Sequence, residues 1–307
     1  VERRTGIPQG EIKNDEKDKL NNLENILHKR IVGQDLAINS ISSAIRRARA
    51  GLTDSKRPMG SFLFLGPTGV GKTETTKALA EVFFGNEDKI IRVDMSEYSS
   101  ENALEKLIGS FESDAPGFLT AKIRESQYGV LLLDEFEKSR REVQDLFLQI
   151  LDEGFFTDGR GEKVNARNLI IIATSNAGSA LIYDAIKENK NVILSQQVIV
   201  DKIIQDGIYR PELLNRFDGV IVFHPLDENA LGNVVKLMLG SLNQRLSDKN
   251  ITVLETDELI SYLVKIGIDP KFGARAVKRT IQDVVEKKVA DAMIKGEVVG
   301  GDKIKLT

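Results

Sequence analysis

Short apolar runs alternate with amphipathic segments up to about residue 224. The apolar runs predict strands at 61–66, 89–95, 129–134, 168–176 and 219–224. Helical periodicity follows these runs, for example from Gly71 to about Phe84 and over 139–154. Continuously apolar strands that alternate with helices are typical of a parallel sheet covered on both faces. The sequence therefore predicts an α/β fold with helices on both sides of a parallel sheet.

Amphipathic segments also precede the first strand. Apolar residues recur at helical spacing in 17–29 and again in 35–50. Residues 1–16 are polar and contain glycines and a proline, which predicts an extended lead-in linker. An Asp-Gly pair within 155–164 predicts a hairpin.

The pattern changes after Pro225. Helical patterns follow at 227–248, 256–267 and 272–295. Two short strand-like pieces lie at 250–255 and 302–307. We therefore expect a large α/β domain at 17–224 and a small, mainly helical domain with short strands at 225–307.

The composition narrows the class of protein. Apolar residues make up 41% and charged residues 29% of the 307 residues, as in a soluble globular protein. A net charge of −3 does not indicate a nucleic-acid-binding face. No apolar run approaches the roughly 18 residues that span a bilayer, so no membrane contact is expected. The absence of cysteine excludes disulfides and thiolate metal sites, and a reducing, cytoplasmic location fits.

The sequence GPTGVGKT at 66–73 matches the phosphate-binding pattern GxxxxGK[ST]. It lies directly after a predicted strand and before a predicted helix, which is the context that this loop requires. Its backbone N–H groups can surround phosphate oxygens, Lys72 can reach the outer phosphates, and Thr73 can offer its hydroxyl to Mg²⁺. The predicted cofactors are ATP or ADP with Mg²⁺. The residues expected to contact the nucleotide here are Pro67, Thr68, Gly69, Val70, Gly71, Lys72, Thr73 and Glu74.

Two adjacent acids, Asp134 and Glu135, end the predicted strand GVLLLD. In P-loop enzymes a strand-end aspartate holds the metal, usually through water, so Asp134 joins Thr73 as a predicted metal-site residue. Glu135 is placed to orient and deprotonate an attacking water. A second acid at this position favours hydrolysis over phosphoryl transfer to a hydroxyl substrate. Glu137 and Lys138 are expected to be surface or salt-bridge residues.

The next predicted strand ends in TSN at 174–176. The carboxyl ends of parallel strands converge on the nucleotide in folds of this type. Asn176 is therefore expected to hydrogen-bond the γ-phosphate and the attacking water, although an asparagine at a strand end is by itself more often a turn residue or a helix cap.

Further motifs occur in a fixed order along the chain: IVGQ (31–34), GPTGVGKT, VDMSEY (93–98), LLLDEFEK, LDEGFFTDGRG (152–161), ATSNAGS (173–179), YRPELLNRFD (209–218) and FGARAVKR (272–279). This order resembles the Clp-type AAA+ protein unfoldases, in particular the second ATPase module of ClpB- and ClpC-like two-ring members. The resemblance covers essentially the whole chain. Because RRTGIP (3–8) resembles the segment that joins the two rings, we expect the chain to be part of a longer protein.

The resemblance implies roles for individual residues. Ile31 and Val32 match the adenine-contacting pair, and Asn176 matches the sensor 1 residue. Arg216 matches the arginine finger, which acts in a neighbouring subunit's site. Arg275 matches sensor 2, which contacts the γ-phosphate. The implied protein is an ATPase that works in a ring, expected to be a homohexamer, on unfolded or aggregated polypeptide.

The chain departs from the family pattern at two places. The family's substrate-gripping loop contains Gly-Tyr-Val-Gly, whereas 107–125 reads LIGSFESDAPGFLTAKIRE and lacks that tyrosine. Phe111 is the better candidate for a channel residue, because Phe118 is expected to begin a helix. Residues 177–208 lack a clear match to the family's peptidase-binding tripeptide, so no peptidase partner is indicated.

Two alternatives to the unfoldase function remain open from the sequence. One is an AAA+ switch in which ATP drives assembly without threading of a polypeptide. The other is the ATPase subunit of a Clp-type protease. A nucleic-acid motor is disfavoured by the acidic charge balance and the lack of a basic, aromatic-bearing loop.

Overall fold

The chain contains two compact units in a computed structural model that describes residues 14–52, 54, 56–111, 116–187, 196–269 and 272–306. The first unit contains the residues up to Gly66 together with Lys72–Phe223. The second contains Pro67–Gly71 together with the residues from His224 onward. The sequence placed 67–71 in the large domain, whereas its contacts group it with the C-terminal unit.

Within the described residues, three helices precede the sheet: α1 (Asn14–Asn21), α2 (Leu23–His28) and α3 (Asp35–Arg49). The single helix predicted at 17–29 is divided at Asn22, which has φ −108° and ψ 16°. The Asn22 side chain accepts a hydrogen bond from the Asn25 side chain (Nδ2) at 2.6 Å, and asparagine is a poor residue for helix interiors. Most of the predicted lead-in lies outside the described residues, and its last part, 14–16, already belongs to α1.

The strands of the first unit are β1 (Gly60–Leu65), β2 (Ile90–Asp94), β3 (Gly129–Asp134), β4 (Phe155–Thr157), β5 (Lys163–Asn165), β6 (Leu169–Ser175) and β7 (Gly219–Val222). Five of them form one parallel sheet in the order β2-β3-β6-β1-β7. Leu65 pairs with Ser175, and Leu133 pairs with Ala173. The carboxyl ends of β1, β3 and β6 therefore lie side by side at one edge. Strands β4 and β5 form the predicted antiparallel hairpin.

Seven helices follow in the described part of the first unit: α4 (Lys72–Phe84), α5 (Ala103–Ile108), α6 (Phe118–Glu125), α7 (Arg141–Glu153), α8 (Ser179–Lys187), α9 (Gln196–Gln205) and α10 (Pro211–Leu214). Short 3₁₀ turns lie at Glu87–Lys89, Met95–Tyr98 and Phe136–Lys138. The apolar faces of helices α5 to α10 and residues of the sheet form one core. In this core Phe136 packs edge-on against Phe147, with ring centroids 5.6 Å apart. Phe118 begins α6 as predicted.

The second unit consists mainly of helices: α11 (Glu228–Leu246), α12 (Asp257–Gly267), α13 (Ala274–Ile281) and α14 (Lys287–Ile294). Two short strands, β8 (Thr252–Val253) and β9 (Lys303–Ile304), pair in parallel. The Asp227 carboxylate caps α11 by accepting from the Ala230 N–H at 2.7 Å, and Thr256 caps α12 by accepting from the Leu259 N–H at 3.2 Å. The helix predicted at 272–295 contains a π-helical turn at Gln282–Glu286.

The predicted fold class is confirmed: a parallel sheet with flanking helices is followed by a mainly helical unit with its own apolar core. Among the described residues, no helix is both long enough and apolar enough to cross a membrane.

Candidate nucleotide-binding and hydrolysis site

The residues on either side of the phosphate-binding loop are held tightly in the first unit. Gly66 follows β1 with φ +138°, and a Cβ there would lie 2.4 Å from the Phe223 carbonyl oxygen, so only glycine fits. Lys72 begins α4, and its side chain is buried. The Lys72 ammonium donates to the Gly66 carbonyl and, at 3.0 Å, to Asn176 Oδ1. The structure thus brings Lys72 and Asn176 together at the edge where β1 and β6 end.

The middle of the loop packs within the second unit. Gly69 has φ +78°, and a Cβ on it would lie 2.0 Å from the Phe272 carbonyl oxygen and 3.2 Å from the Arg275 nitrogen. The Gly69 carbonyl accepts a hydrogen bond from the Ala274 N–H at 3.0 Å. The backbone at Arg275 therefore lies against the loop, and the Arg275 residue itself is exposed.

Asp134 is held from two sides at the end of β3. Its Oδ1 accepts from the Thr174 hydroxyl at 2.5 Å, and its Oδ2 accepts from Arg92 Nη2 at 2.5 Å. Arg92 is 60% exposed, so this ion pair is open to solvent. Neither partner of Asp134 is among the residues predicted for the site. Their only signals were a charged residue inside the apolar run KIIRVDM and a hydroxyl two residues before Asn176.

Glu135 leaves the strand in an unusual backbone conformation. Its φ of 54° and ψ of 47° lie in the left-handed region, which residues other than glycine rarely adopt. The Glu135 N–H approaches Thr174 Oγ1 at 3.4 Å. Strained conformations of this type cost about 1–3 kcal/mol and cluster at functional sites. The turn separates the half-buried Glu135 carboxylate from the neighbouring Asp134, so the two acids can serve different roles.

Glu137 differs from its expected role as a surface or salt-bridge residue. It is half-buried, and its Oε1 accepts from the Asn176 backbone N–H at 3.1 Å. Its Oε2 is buried and has no hydrogen-bond partner among the described residues. The expectation was wrong because the left-handed turn at Glu135 directs the chain back toward β6, which alternation along a strand does not predict. Lys138 is exposed as expected.

The remaining predicted residues lie in other places. Ile31 is buried and Val32 is half-buried between α2 and α3. Glu74, in the first turn of α4, forms an ion pair with Arg30. Arg216 follows α10 and pairs with Asp152 of α7 at 3.3 Å. No contact described in the structure joins Arg216 to Lys72, Asp134 or Asn176.

The donor groups of the site suit Mg²⁺. Hydroxyl and carboxylate oxygens are hard ligands, and Mg²⁺ in nucleotide sites takes few protein ligands and completes its shell with water and phosphate. Thr73 and Asp134 would supply such oxygens. Within the described ranges there is no cluster of three or more histidine, cysteine or acidic residues that could hold a metal by itself.

A parallel sheet whose strand ends carry a P-loop lysine, two adjacent acids and an asparagine defines a nucleotide-binding P-loop ATPase. The model of the AAA domain (Cdc48 subfamily) matches residues 57–220, and the model of the C-terminal D2-small domain of ClpB matches 226–306. The chain belongs to the AAA domain family, as an AAA+ ATPase module of the Clp-type second-ring kind. The predicted family and the prediction of an ATPase are confirmed.

Similar proteins support this assignment. The chain is 47% identical over 305 residues to chaperone protein ClpB of Aquifex aeolicus. The aligned region covers 97% of this chain and 30% of that protein. It is 43% identical over 311 residues to the ATP-dependent Clp protease ATP-binding subunit ClpC of Staphylococcus epidermidis, covering 98% and 38% respectively. The chain therefore spans less than half the length of these relatives.

A solved structure is similar over the whole chain. It is a closed-state cryo-electron microscopy reconstruction of Hsp104 with ATPγS and FITC casein. The TM-score is 0.89 at 35% identity, and the match covers 100% of this chain and 53% of the Hsp104 chain.

Proposed function

We propose that this chain is the second ATPase module of a ring-forming Clp-type chaperone, which uses ATP hydrolysis to remodel unfolded or aggregated polypeptide. The main support is the arrangement at the ends of β1, β3 and β6. There Lys72 donates to Asn176, and the Asp134 carboxylate and the Glu135 N–H both meet the Thr174 hydroxyl. One asparagine, one lysine and two acids at a single sheet edge match the needs of water attack on a γ-phosphate.

Each residue has a distinct proposed role. The 67–74 segment would bind the phosphates, with Lys72 against the outer ones. Thr73 and Asp134 would hold Mg²⁺, which neutralises developing charge on the phosphate oxygens when bound. Glu135 would take a proton from the attacking water, and Asn176 would orient that water. Ile31 and Val32 would contact the adenine.

The two arginines would respond to the state of the assembly. We propose that Arg216 acts as the arginine finger in a neighbouring subunit of a homohexameric ring. Its solvent-accessible ion pair with Asp152 fits a side chain that can exchange partners, because both residues are nearly half exposed. Arg275 would contact the γ-phosphate, since its backbone lies beside Gly69. In this proposal, residues 17–224 form the large ATPase domain and residues 225–307 form the small domain.

Polypeptide is the proposed substrate. Phe111, which follows α5, is 86% exposed, and it is the aromatic residue that we propose to contact substrate in the channel. The solved Hsp104 structure contains FITC casein, and the relatives include chaperones. The rest of the loop at 112–115 lies outside the described residues. A cytoplasmic location stays a prediction, because one relative, from Oryza sativa, is described as mitochondrial.

A second candidate is the ATPase subunit of a Clp-type protease. The ClpC relative, described as a protease ATP-binding subunit, favours it. Nothing in 177–208 matches the peptidase-binding tripeptide, although part of this segment lies outside the described residues. We therefore rank the chaperone function first, the protease ATPase subunit second and the ATP-driven assembly switch third.

One assay separates these functions. ATP turnover by the purified module would be measured alone, with an unfolded casein-like chain, and with single-stranded DNA. Stimulation by the unfolded chain alone is the expected result. Stimulation by DNA alone would indicate a nucleic-acid motor, and a response to neither would favour the switch. Degradation of the same chain when a Clp-type peptidase is added would support the protease subunit instead.

A further inference from the structure

Glu137 lies beside the proposed hydrolysis site but has no role in the proposed mechanism. The 3₁₀ turn Phe136–Lys138 follows Glu135 directly, and it brings the Glu137 carboxylate under the end of β6. There Oε1 accepts the backbone N–H of Asn176 at 3.1 Å. Asn176 is the residue whose side chain meets Lys72. The Glu137 carboxylate is therefore one hydrogen bond away from the side chain that we propose to orient the attacking water.

The second oxygen of this carboxylate is in an unfavourable environment. Glu137 Oε2 is buried without a hydrogen-bond partner among the described residues, and so is the hydroxyl of Tyr209. Buried polar groups are normally paired, and those that are not call for an explanation in the protein's function or strain. Burial raises the pKa of Tyr209 well above its usual value, and the negative charge of Glu137 raises it further, while the Ser175 hydroxyl opposes the shift. Glu137 is therefore close enough to the phenol for its charge to act there.

Tyr209 connects this acid to the segment that carries Arg216. Its ring is 2% exposed and stacks on Phe136, the residue before Glu137, with centroids 5.8 Å apart and an interplanar angle of 22°. Arg210 follows Tyr209 and forms an ion pair with Asp145 of α7. The helix α10 then spans Pro211–Leu214, and Arg216 lies two residues beyond it. A rigid aromatic contact therefore joins the turn after Glu135 to the start of the proposed arginine-finger segment.

We propose that Glu137 is a positioning residue that holds Asn176 through its backbone N–H and links Asn176, through Tyr209, to the Arg216-bearing segment. A shift of that segment would move the phenol, change the electrostatic and packing environment of the Glu137 carboxylate, and so change the placement of Asn176. The inference rests on the proposed role of Asn176 in hydrolysis. It does not require Glu137 to touch nucleotide or water.

The first test replaces Glu137 and separates binding from hydrolysis. Glu137→Ala removes the acceptor for the Asn176 N–H, whereas Glu137→Gln keeps an oxygen that can accept it. We expect Glu137→Ala to lower the single-turnover hydrolysis rate by about 10- to 100-fold, the range typical of residues that orient a site's ligands. ATP affinity should stay within about threefold, and Glu137→Gln should retain most of the rate. The exposed Glu101 provides a matched control, since Glu101→Ala should behave as the unmodified chain.

The second test asks whether Glu137 acts through Asn176. Asn176→Ala removes the side chain but keeps the backbone N–H. If Glu137 only positions that side chain, Glu137→Ala should cause little further loss of rate in the Asn176→Ala background. Independent, multiplicative losses would overturn the inference, as would equal losses of affinity and rate or a hydrolysis rate unchanged in Glu137→Ala.

The third test concerns the link to the Arg216 segment. Tyr209→Phe removes only the hydroxyl and keeps the ring that stacks on Phe136. We expect this variant to fold and bind ATP normally, but to gain less hydrolytic rate than the unmodified chain as protein concentration and assembly increase. An unchanged gain would overturn the link through Tyr209.

Failure of the proposed function itself would look different. If Glu135→Gln also hydrolyses ATP at the unmodified rate, the assignment of the hydrolytic site is wrong. If Glu135→Gln is inactive while Glu137→Ala is fully active, only the inference about Glu137 is wrong.

Discussion

Arg30 provides a stringent test of how the segment that carries Ile31 and Val32 is attached to the P-loop helix. The guanidinium donates to Glu74 Oε1 at 3.0 Å, to Glu81 Oε2 at 2.5 Å and to Glu87 Oε1 at 2.6 Å. Burial by itself would lower the pKa of Arg30, but the hydrogen bonds to Glu87 and Glu74 outweigh it and raise the pKa above its ordinary value. One cation thus joins the end of α2 to α4 and to the turn after it.

The expected cost of Arg30→Ala follows from the exposure of these pairs. The Arg30 side chain is 29% exposed, and its three partners are 36–57% exposed, so each pair is screened by solvent. Pairs of this kind contribute about 0.2–1 kcal/mol each, and three together about 0.6–3 kcal/mol. At about 2–4 °C per kcal/mol for a unit of this size, the unfolding midpoint should fall by about 1–12 °C. High salt should reduce the difference, because the network is partly exposed.

The pKa of Glu87 determines how the stability lost in Arg30→Ala depends on pH. The hydrogen bond from Arg30 is the first cause that lowers the pKa of Glu87 below its ordinary value. This stabilisation is therefore fully present above the unfolded pKa of about 4.3 and is lost as the pH falls through the folded pKa. The difference between Arg30→Ala and the unmodified chain should be largest above about pH 5 and should shrink in stronger acid.

Thermal unfolding followed by circular dichroism at several pH values would measure this effect. Arg47→Ala is the matched control, since Arg47 is an exposed arginine of α3 that donates only to Ser43 in the described contacts. If Arg30→Ala lowers the midpoint no more than Arg47→Ala does, the network does not stabilise the fold. A difference that stays constant down to pH 3 would refute the electrostatic reasoning.

Three further predictions concern the site. Glu135→Gln should bind ATP yet hydrolyse it about 10²–10⁴ times more slowly, as expected for loss of a general base. ATP binding would be measured with a fluorescent nucleotide and turnover by phosphate release. Retained turnover would show that Glu135 is not the general base. Arg216→Ala should abolish the activity gained on assembly, by about 10³–10⁵-fold, with affinity nearly intact; a collapse of affinity would instead make Arg216 a residue of its own subunit's site. Gly69→Ala should weaken nucleotide binding and stability more than Gly85→Ala does. Both glycines have positive φ, but only at Gly69 would a Cβ lie 2.0 Å from the Phe272 carbonyl oxygen. Equal denaturation curves for the two variants would contradict this prediction.

The fold was predictable wherever a local pattern carried the information. The apolar runs at β1, β3 and β6 could only be buried on both faces, and glycines at 66 and 69 mark backbone conformations that other residues resist. The same patterns failed at helix interruptions. At Asn22 the helix is interrupted where the Asn22 and Asn25 side chains hydrogen-bond to each other, and at Gln282–Glu286 a π-helical turn interrupts a continuous helical pattern. The apolar periodicity encodes neither feature.

The identity of the chemical groups follows from the chain alone, because a lysine after a glycine loop and two acids after a buried strand have few other uses. Their partners depend on the three-dimensional arrangement. Arg92 meets Asp134, and Glu137 meets Asn176, only because parallel strands bring distant segments to one edge and a left-handed Glu135 turns the chain back. Such contacts join residues about 40 positions apart, and no short-range periodicity can specify which of many exposed charges will meet.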